Sequence, residues 1–134
     1  TDAQKEYLGT LESGNYIMIG GSAVVGDGVK QECAVFGNTE RIGGSTRYET
    51  SKLVADRFFS GDCEKVVLAY SMDYPDGLCA GVLASKRKAP LLLVNNENIV
   101  QAKAWASPAN ATKCTVIGGP TFISNDAAWG IIGR

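Results

Sequence analysis

The 134-residue sequence contains no histidine. A Ser-His-Asp triad, a Cys-His pair, a histidine-ligated zinc site and an imidazole general base therefore cannot be built from this chain alone. The four cysteines, Cys33, Cys63, Cys79 and Cys114, include no C-x-x-C pair, which argues against a structural zinc site. We interpret them as small buried hydrophobic residues, with a disulfide between Cys63 and Cys114 as the alternative. The sequence therefore predicts no metal site.

An excess of either charge is also missing. The chain has 13 basic and 14 acidic residues, and its net charge is −1. Bulk electrostatic binding to nucleic acid or to a membrane surface needs a clear basic excess, so we expect neither partner. No apolar run approaches the ~18 residues of a transmembrane helix, so we expect no membrane insertion. The chain starts at Thr1 without a signal peptide, and we interpret it as a mature or excised fragment.

Glycine is abundant, at 16 residues of 134, and glycine pairs mark an internal repeat. The segment 16–21, Tyr-Ile-Met-Ile-Gly-Gly, resembles the segment 114–119, Cys-Thr-Val-Ile-Gly-Gly. The aligned residues Gly20 and Gly118 lie 98 positions apart, and a third Ile-Gly-Gly stands at 42–44. This spacing indicates a repeat unit of about a hundred residues, which is a usual domain size.

The repeat predicts how the chain is organised. We expect residues 1–36 to be the tail of a preceding repeat, made of a helix, a strand and a helix packed on the main unit. Residues 37–134 would then form one complete repeat. An assembly of several units would require other copies of the repeat.

Continuous apolar runs predict strands that are covered on both faces, as in a parallel sheet. These runs lie at 16–19, 66–70, 91–94 and 114–117. Helices are predicted between them. Thr46-x-x-Glu49 is a capping box, and a second helix should begin near Pro75 with Asp76 in its first turn. The alternation predicts an α/β sandwich with a mainly parallel sheet.

The glycine pairs do not match a phosphate-binding loop. The segment after Gly21 has the first Walker A spacing, ending at Gly26, but lacks the lysine, and Gly26-Asp27-Gly28 lacks the third glycine of a dinucleotide fingerprint. We interpret these glycines as sharp exits from strands. The segment 71–77 follows a predicted strand and carries two aspartates, which we interpret as turn and helix-start residues and not as catalytic acids.

Lys86, Arg87 and Lys88 form a run of three like charges. Such a run is usually a solvated helix end. The alternative is a local contact for an anionic polymer, which would act more strongly if it were repeated around an oligomer.

Four ordered motifs resemble the type 2 cell wall-binding repeat of Gram-positive surface and S-layer proteins. They cover the chain from Arg41 to its end. The motif residues are Arg41, Gly43, Gly44, Arg47 and Tyr48 in the first segment, Pro75 and Asp76 in the second, Leu91, Leu92 and Leu93 in the third, and Gly118 and Gly119 in the last.

The resemblance implies a Rossmann-like fold, arranged as a three-layer sandwich, and a non-catalytic module that needs no cofactor. It also implies a secreted protein that is held on anionic cell-wall polysaccharide at the cell surface, with three repeats packed as a trimer. The family's anchoring element falls on Leu91, Leu92 and Leu93, although the residues themselves predict a buried strand there. Arg47, Lys86, Arg87 and Lys88 are the expected basic contacts. Because the chain holds about one and a third units, a trimer would need other chains.

Two other functions remain open on the sequence. The first is an α/β domain that binds a small ligand or a nucleotide at the carboxyl ends of its strands. The second is an interaction or spacer domain that has kept the fold and lost the binding.

Overall fold

Helices and strands alternate along the chain in a computed structural model, which describes residues 1–11 and 14–134. The strands are β1 Gly14–Ile19, β2 Gly37–Ile42, β3 Lys65–Tyr70, β4 Leu91–Val94 and β5 Lys113–Ile117. The helices are α1 Asp2–Thr10, α2 Asp27–Ala34, α3 Arg47–Phe58, α4 Tyr74–Arg87, α5 Val100–Ala106 and α6 Asn125–Ile131. The predicted α/β class with parallel strands is confirmed.

The strands form two sheets. The main sheet has the order β4-β3-β5, with every pair parallel. Its central strand β3 is buried on both faces, with Val67, Leu68 and Ala69 at 0% exposure. Two-sided burial explains why this strand is apolar at almost every position.

Helices cover both faces of the main sheet and make it the middle of three layers. On one face α4 contributes Ala80 and Ala84, which pack against Val67 and Ala69. On the other face α3, α5 and α6 enclose the larger core. That core includes Ala55, Leu68, Leu92, Trp105 and Ile131.

The second sheet joins β1 to β2 in parallel, from Gly14 opposite Gly37 to Ile19 opposite Ile42. The sequence analysis did not predict β2, because its residues Gly-Asn-Thr-Glu-Arg-Ile include a single apolar side chain. Two positions are open to a strand at 16–19: the edge of the chain's own main sheet, or a place beside a strand of a neighbouring molecule. In the structure this strand lies in a separate sheet with β2.

The start of α3 has the capping residues that the sequence predicts, and α4 begins at Tyr74, beside the predicted Pro75, with Asp73 as a cap where the sequence analysis predicted a turn residue. The Thr46 hydroxyl accepts a hydrogen bond from the Glu49 backbone N–H at 3.1 Å. The Glu49 carboxylate accepts from the Ser45 N–H at 2.7 Å, one residue earlier than in a standard capping box. Asp73 caps α4 by accepting from the Tyr74 N–H at 2.9 Å, and Pro75 lies in the first turn.

All four cysteines are free thiols, so the alternative of a disulfide is not realised. Cys33, Cys63 and Cys114 are half-buried, and burial raises the pKa of the Cys114 thiol. Cys79 is exposed on α4, which corrects the prediction that it is buried. The face of α4 that packs on the sheet is made of alanines, and Cys79 lies outside that face.

Candidate functional site

The basic residues that the sequence analysis grouped as contacts lie at two opposite edges of the main sheet. Helix α4 starts just after the carboxyl end of β3 and ends just before β4, so it runs antiparallel to the strands. Lys86, Arg87 and Lys88 therefore lie at the amino edge of the sheet. Arg47 starts α3 at the carboxyl edge. The two sets cannot contact the same polymer unit.

At the carboxyl edge, Arg47 and Tyr48 hold the end of β3. The Arg47 guanidinium donates to the Ser71 carbonyl oxygen at 2.6 Å. The Tyr48 hydroxyl accepts from Ser71 Oγ and from Asn95 Nδ2, each at 3.0 Å. We call Arg47, Tyr48, Ser71 and Asn95 the carboxyl-edge clasp, because they tie the first turn of α3 to the ends of β3 and β4.

The loops beyond the clasp are bonded to one another. Asn96 Nδ2 donates to the Thr121 carbonyl at 2.9 Å, and Asn96 Oδ1 accepts from the Ser124 N–H at 2.7 Å. Tyr70 stacks on Phe122 with ring centroids 4.4 Å apart. Open α/β sheets bind small ligands at this edge, and here the protein's own side chains occupy it. The geometry therefore does not favour the small-ligand alternative.

Ser71, Asn95 and Asn96 were missed as site residues by the sequence analysis. Their signal was present, because Ser71 directly follows one apolar run that was predicted to be a strand, and the pair Asn95 and Asn96 directly follows another. In a parallel sheet, residues that follow neighbouring strands meet at one edge. Applying that rule to 71 and to 95–96 would have found the clasp.

The first motif lies at the carboxyl ends of β1 and β2 and extends to the start of α3. The Arg41 guanidinium donates to the Gly20 carbonyl at 2.7 Å and pairs with Asp27 Oδ1 at 3.1 Å. A Cβ on Gly43 would overlap the backbone of Gly20, and a Cβ on Gly44 would overlap the side chain of Glu49. Position 43 requires glycine because the Gly20 backbone passes too closely for any side chain, whereas a side chain at position 44 would displace the side chain of Glu49.

The second and fourth motifs lie against each other. Gly118 has φ +142°, and a Cβ there would lie 3.4 Å from Asp76 Oδ2. Gly20, its counterpart in the repeat, has φ +132°. Pro75 lies in the first turn of α4 beside Asp76, and the Gly119 carbonyl accepts from the Phe122 N–H at 2.9 Å.

Leu91, Leu92 and Leu93 form most of the edge strand β4. Leu92 is buried in the larger core, whereas Leu91 and Leu93 are half-buried and pack on the α4 side of the sheet. The Leu93 N–H points to the free edge and donates to Ser51 Oγ at 3.1 Å. The prediction of a buried strand thus describes Leu92 fully and its two neighbours in part.

An apolar stripe runs along the outer face of α4. Tyr74, Leu78 and Val82 follow one another at a spacing of four residues and are 76%, 69% and 64% exposed. We call these three residues the α4 stripe. Adjacent apolar side chains left in water are typical of interaction surfaces.

At the amino edge, the Arg87 guanidinium contacts the Thr115 hydroxyl of β5. Lys88 ends α4 with φ +50°. Within residues 1–11 and 14–134, no group of three metal-binding side chains is present. Over the same residues, no helix has both the length and the apolar character to cross a membrane.

Comparison with known proteins places these features in a family. The model of cell wall binding domain 2 matches residues 41–128. The chain is 33% identical over 97 residues to the amidase enhancer of Bacillus subtilis, which covers 72% of this chain and 14% of that protein. It is 26% identical over 113 residues to the N-acetylmuramoyl-L-alanine amidase LytC of the same organism, covering 84% of this chain and 22% of that protein.

A solved structure shares the fold. Cwp8 from Clostridium difficile superimposes with a TM-score of 0.70 at 19% identity, over 96% of this chain and 23% of Cwp8. The chain therefore spans less than a quarter of the length of each of these relatives. It is a non-catalytic binding module associated with the cell wall or the cell surface. The chain belongs to the cell wall binding domain 2 family.

Proposed function

We propose that the chain holds its parent protein non-covalently on an anionic polysaccharide of a Gram-positive cell wall, after secretion. The observation that carries this proposal is the basic run Lys86, Arg87 and Lys88 at an exposed helix end in a cell wall binding domain. These cations lie at the negative end of the α4 dipole, where they stabilise the helix. They also stand free of the core and can reach a polymer.

Arg47 has a different part in this proposal. Its guanidinium donates to the Ser71 carbonyl at 2.6 Å, so its charge is engaged inside the carboxyl-edge clasp. We assign Arg47 to positioning the end of β3 and not to direct contact with the polymer. A loss of wall binding on its substitution would therefore come with a loss of stability.

We also assign Leu91, Leu92 and Leu93 a structural role and not a direct contact with the polymer. Leu92 is 1% exposed, so a polymer cannot reach it in the folded chain. Leu91 and Leu93 lie on the same side of the sheet as α4. Their proposed role is to hold the edge strand and the helix that carries the basic run.

Assembly with other copies of the repeat is the second part of the proposal. The α4 stripe supports it, because its three apolar side chains have no cover in the described chain. Association of several units would bring several basic runs onto one polymer chain. Linked weak contacts bind far more tightly than one contact alone.

The division of the chain into a leading tail and one repeat, which the sequence predicts as residues 1–36 and 37–134, stays a proposal. Helix α2 begins 98 positions before Asn125, the first residue of α6, so β1–α2 and β5–α6 are equivalent units. Strand β2 pairs with β1 and not with the main sheet. This pairing favours moving the boundary from residue 36 to the end of β2.

The test is co-sedimentation with purified Gram-positive walls, intact and stripped of anionic polymer. We expect binding to intact walls and a loss of most binding to stripped walls. Lys86→Gln with Lys88→Gln should weaken binding, whereas Lys30→Gln with Lys103→Gln removes the same charge elsewhere and should not. Equal sedimentation with both wall preparations would refute the polymer as the ligand.

A further inference from the structure

Three cations from separate parts of the chain surround one cavity at the amino edge of the main sheet. The cavity has a volume of about 300 Å³. Its charged lining residues are Lys65, Arg87 and Lys113, and Ala89 and Thr115 also line it. Lys65 and Lys113 are not part of any sequence motif described above.

The parallel register explains why these side chains meet. Lys65 of β3 lies opposite Lys113 of β5, so both side chains leave the sheet on the same face. Thr115 lies two positions after Lys113 and therefore also points to that face. It is the face that α4 covers, since Val67, two positions after Lys65, packs against the α4 alanines. Arg87, the last residue of α4, completes the group.

The charges around the cavity do not cancel. Glu64 is the acid beside it, and its carboxylate pairs with Lys113 Nζ at 2.7 Å. Within the described part of the chain, neither Lys65 nor Arg87 is joined to a carboxylate in an ion pair. The hydrogen bond of Arg87 goes to the neutral hydroxyl of Thr115. Two cationic groups and a hydroxyl thus remain to meet an anion.

We propose that this cavity, which we call the amino-edge site, binds one oxyanion of the wall polymer, either a phosphodiester or a uronate carboxylate. This inference rests on the proposed function and extends it from the basic run to Lys65 and Lys113. Guanidinium and ammonium groups form their strongest hydrogen bonds with such oxyanions. The site orients the polymer across β3 and β5, while Lys86 and Lys88 flank it at the end of α4.

The experiment measures affinity of the full chain for two soluble polyanions, poly(glycerol phosphate) and polygalacturonate, at low and at physiological salt. We expect Lys65→Gln with Lys113→Gln to weaken binding of the preferred polyanion about tenfold, as two charged contacts of modest strength would. Lys30→Gln with Lys103→Gln is the matched control and should change affinity less than about twofold. Binding of one polyanion over the other identifies the oxyanion.

A second variant distinguishes loss of the site from loss of the fold. Glu64→Gln removes the competing carboxylate, so it should strengthen binding about twofold to threefold and steepen the salt dependence. A damaged fold could not produce a gain. If both double variants weaken binding equally, or Glu64→Gln has no effect, the amino-edge site is overturned.

The two proposals fail in distinguishable ways. If intact walls bind the chain and stripped walls do not, yet Lys65→Gln with Lys113→Gln matches its control, the polymer is right and the site is wrong. If stripped walls bind the chain equally well, the polymer itself is wrong.

Discussion

The leading residues 1–42 and the main unit after them each contain the same kind of strand–helix unit. The helix of this unit is partly buried in the main unit and has no buried residue in the leading part. In the main unit, β5–α6 buries Ala127, Ala128 and Ile131. In the leading part, the equivalent β1–α2 buries no residue of its helix, and Ile17 and Ile19 are 37% and 50% exposed. The difference comes from neighbours: β3 and α5 lie beside β5–α6, whereas β2 and α1 lie beside β1–α2 in the described part of the chain.

A two-stranded sheet with little cover is marginal in water, because it leaves much of its apolar surface exposed, and in this sheet Met18 and Ile42 are the buried apolar residues. Helix α1 has no buried residue either, and a cavity of about 500 Å³ lies between α1 and α2. The comparison predicts that stability resides in the main unit. The leading part should respond weakly to truncation of its side chains.

The largest expected effect tests that division directly. Trp105 is 3% exposed in the larger core, and Trp105→Ala should lower the free energy of unfolding by about 3–5 kcal/mol. Tyr7 is 65% exposed on α1, and Tyr7→Ala should change it by less than about 0.5 kcal/mol. Urea unfolding followed by circular dichroism measures both. Similar losses in the two variants would show that the leading part is as well packed as the main unit.

The next largest loss of stability is expected at Gly43, where the leading part joins the main unit. A Cβ on Gly43 would overlap the Gly20 backbone, so Gly43→Ala should destabilise the chain by about 1–3 kcal/mol. Gly81 is the control, because it lies inside α4 with no atom within 4 Å of a built Cβ. Gly81→Ala should instead stabilise the chain by up to about 1 kcal/mol. Thermal unfolding in the same buffer shows whether each variant is more or less stable than the wild type. A loss of stability in both variants would contradict the close approach of the Gly20 backbone to Gly43.

The same contrast separates what the sequence could predict from what it could not. Strands β3 and β4 carry buried residues and β5 is mostly half-buried, so their apolar runs predicted them. The starts of α3 and α4 were predictable because Thr46 and Asp73 cap locally. Strand β2 was not predictable, because Thr39 and Glu40 give no apolar run and its pairing with β1 joins residues 23 positions apart.

The basic residues of the candidate site could likewise be predicted only where they are neighbours in the sequence. The run Lys86–Lys88 is visible in the sequence because its charges are adjacent. Lys65 and Lys113 become neighbours through the register of β3 and β5, which is a long-range property. The division of the basic residues between two edges also depends on the direction of α4. Hydrophobic periodicity and helix capping predict neither the register of β3 and β5 nor the direction of α4.

The carboxyl-edge clasp should have a moderate effect. Tyr48→Phe leaves Ser71, which is 5% exposed, without its hydroxyl partner and removes the acceptor of Asn95 Nδ2. We expect a loss of about 1–3 kcal/mol, the cost of an unsatisfied buried polar group. Tyr7→Phe removes a hydroxyl from the leading part and should be neutral within about 0.5 kcal/mol. Chemical unfolding tests the pair, and an unchanged midpoint for Tyr48→Phe would show that the clasp contributes no stability.

The smallest expected effect is at the exposed ion pair of the main sheet. The hydrogen bond from Lys113 and then its charge hold the pKa of the Glu64 carboxyl below its usual range. Lys113→Gln should therefore raise the Glu64 pKa toward its usual range, read from the side-chain carboxyl shift in an NMR pH titration. The control variant Lys103→Gln should leave the Glu64 pKa unchanged.

The sign of the linked stability follows from the lowered pKa. Because folding depresses the Glu64 pKa, the pair stabilises the chain above the pKa of the unfolded state and loses that contribution as pH falls through the folded pKa. Wild type and Lys113→Gln should therefore differ slightly near neutral pH and converge in acid. Added salt should shrink the difference at neutral pH, since both groups are exposed. A difference that grows as the pH falls would contradict the assigned pair.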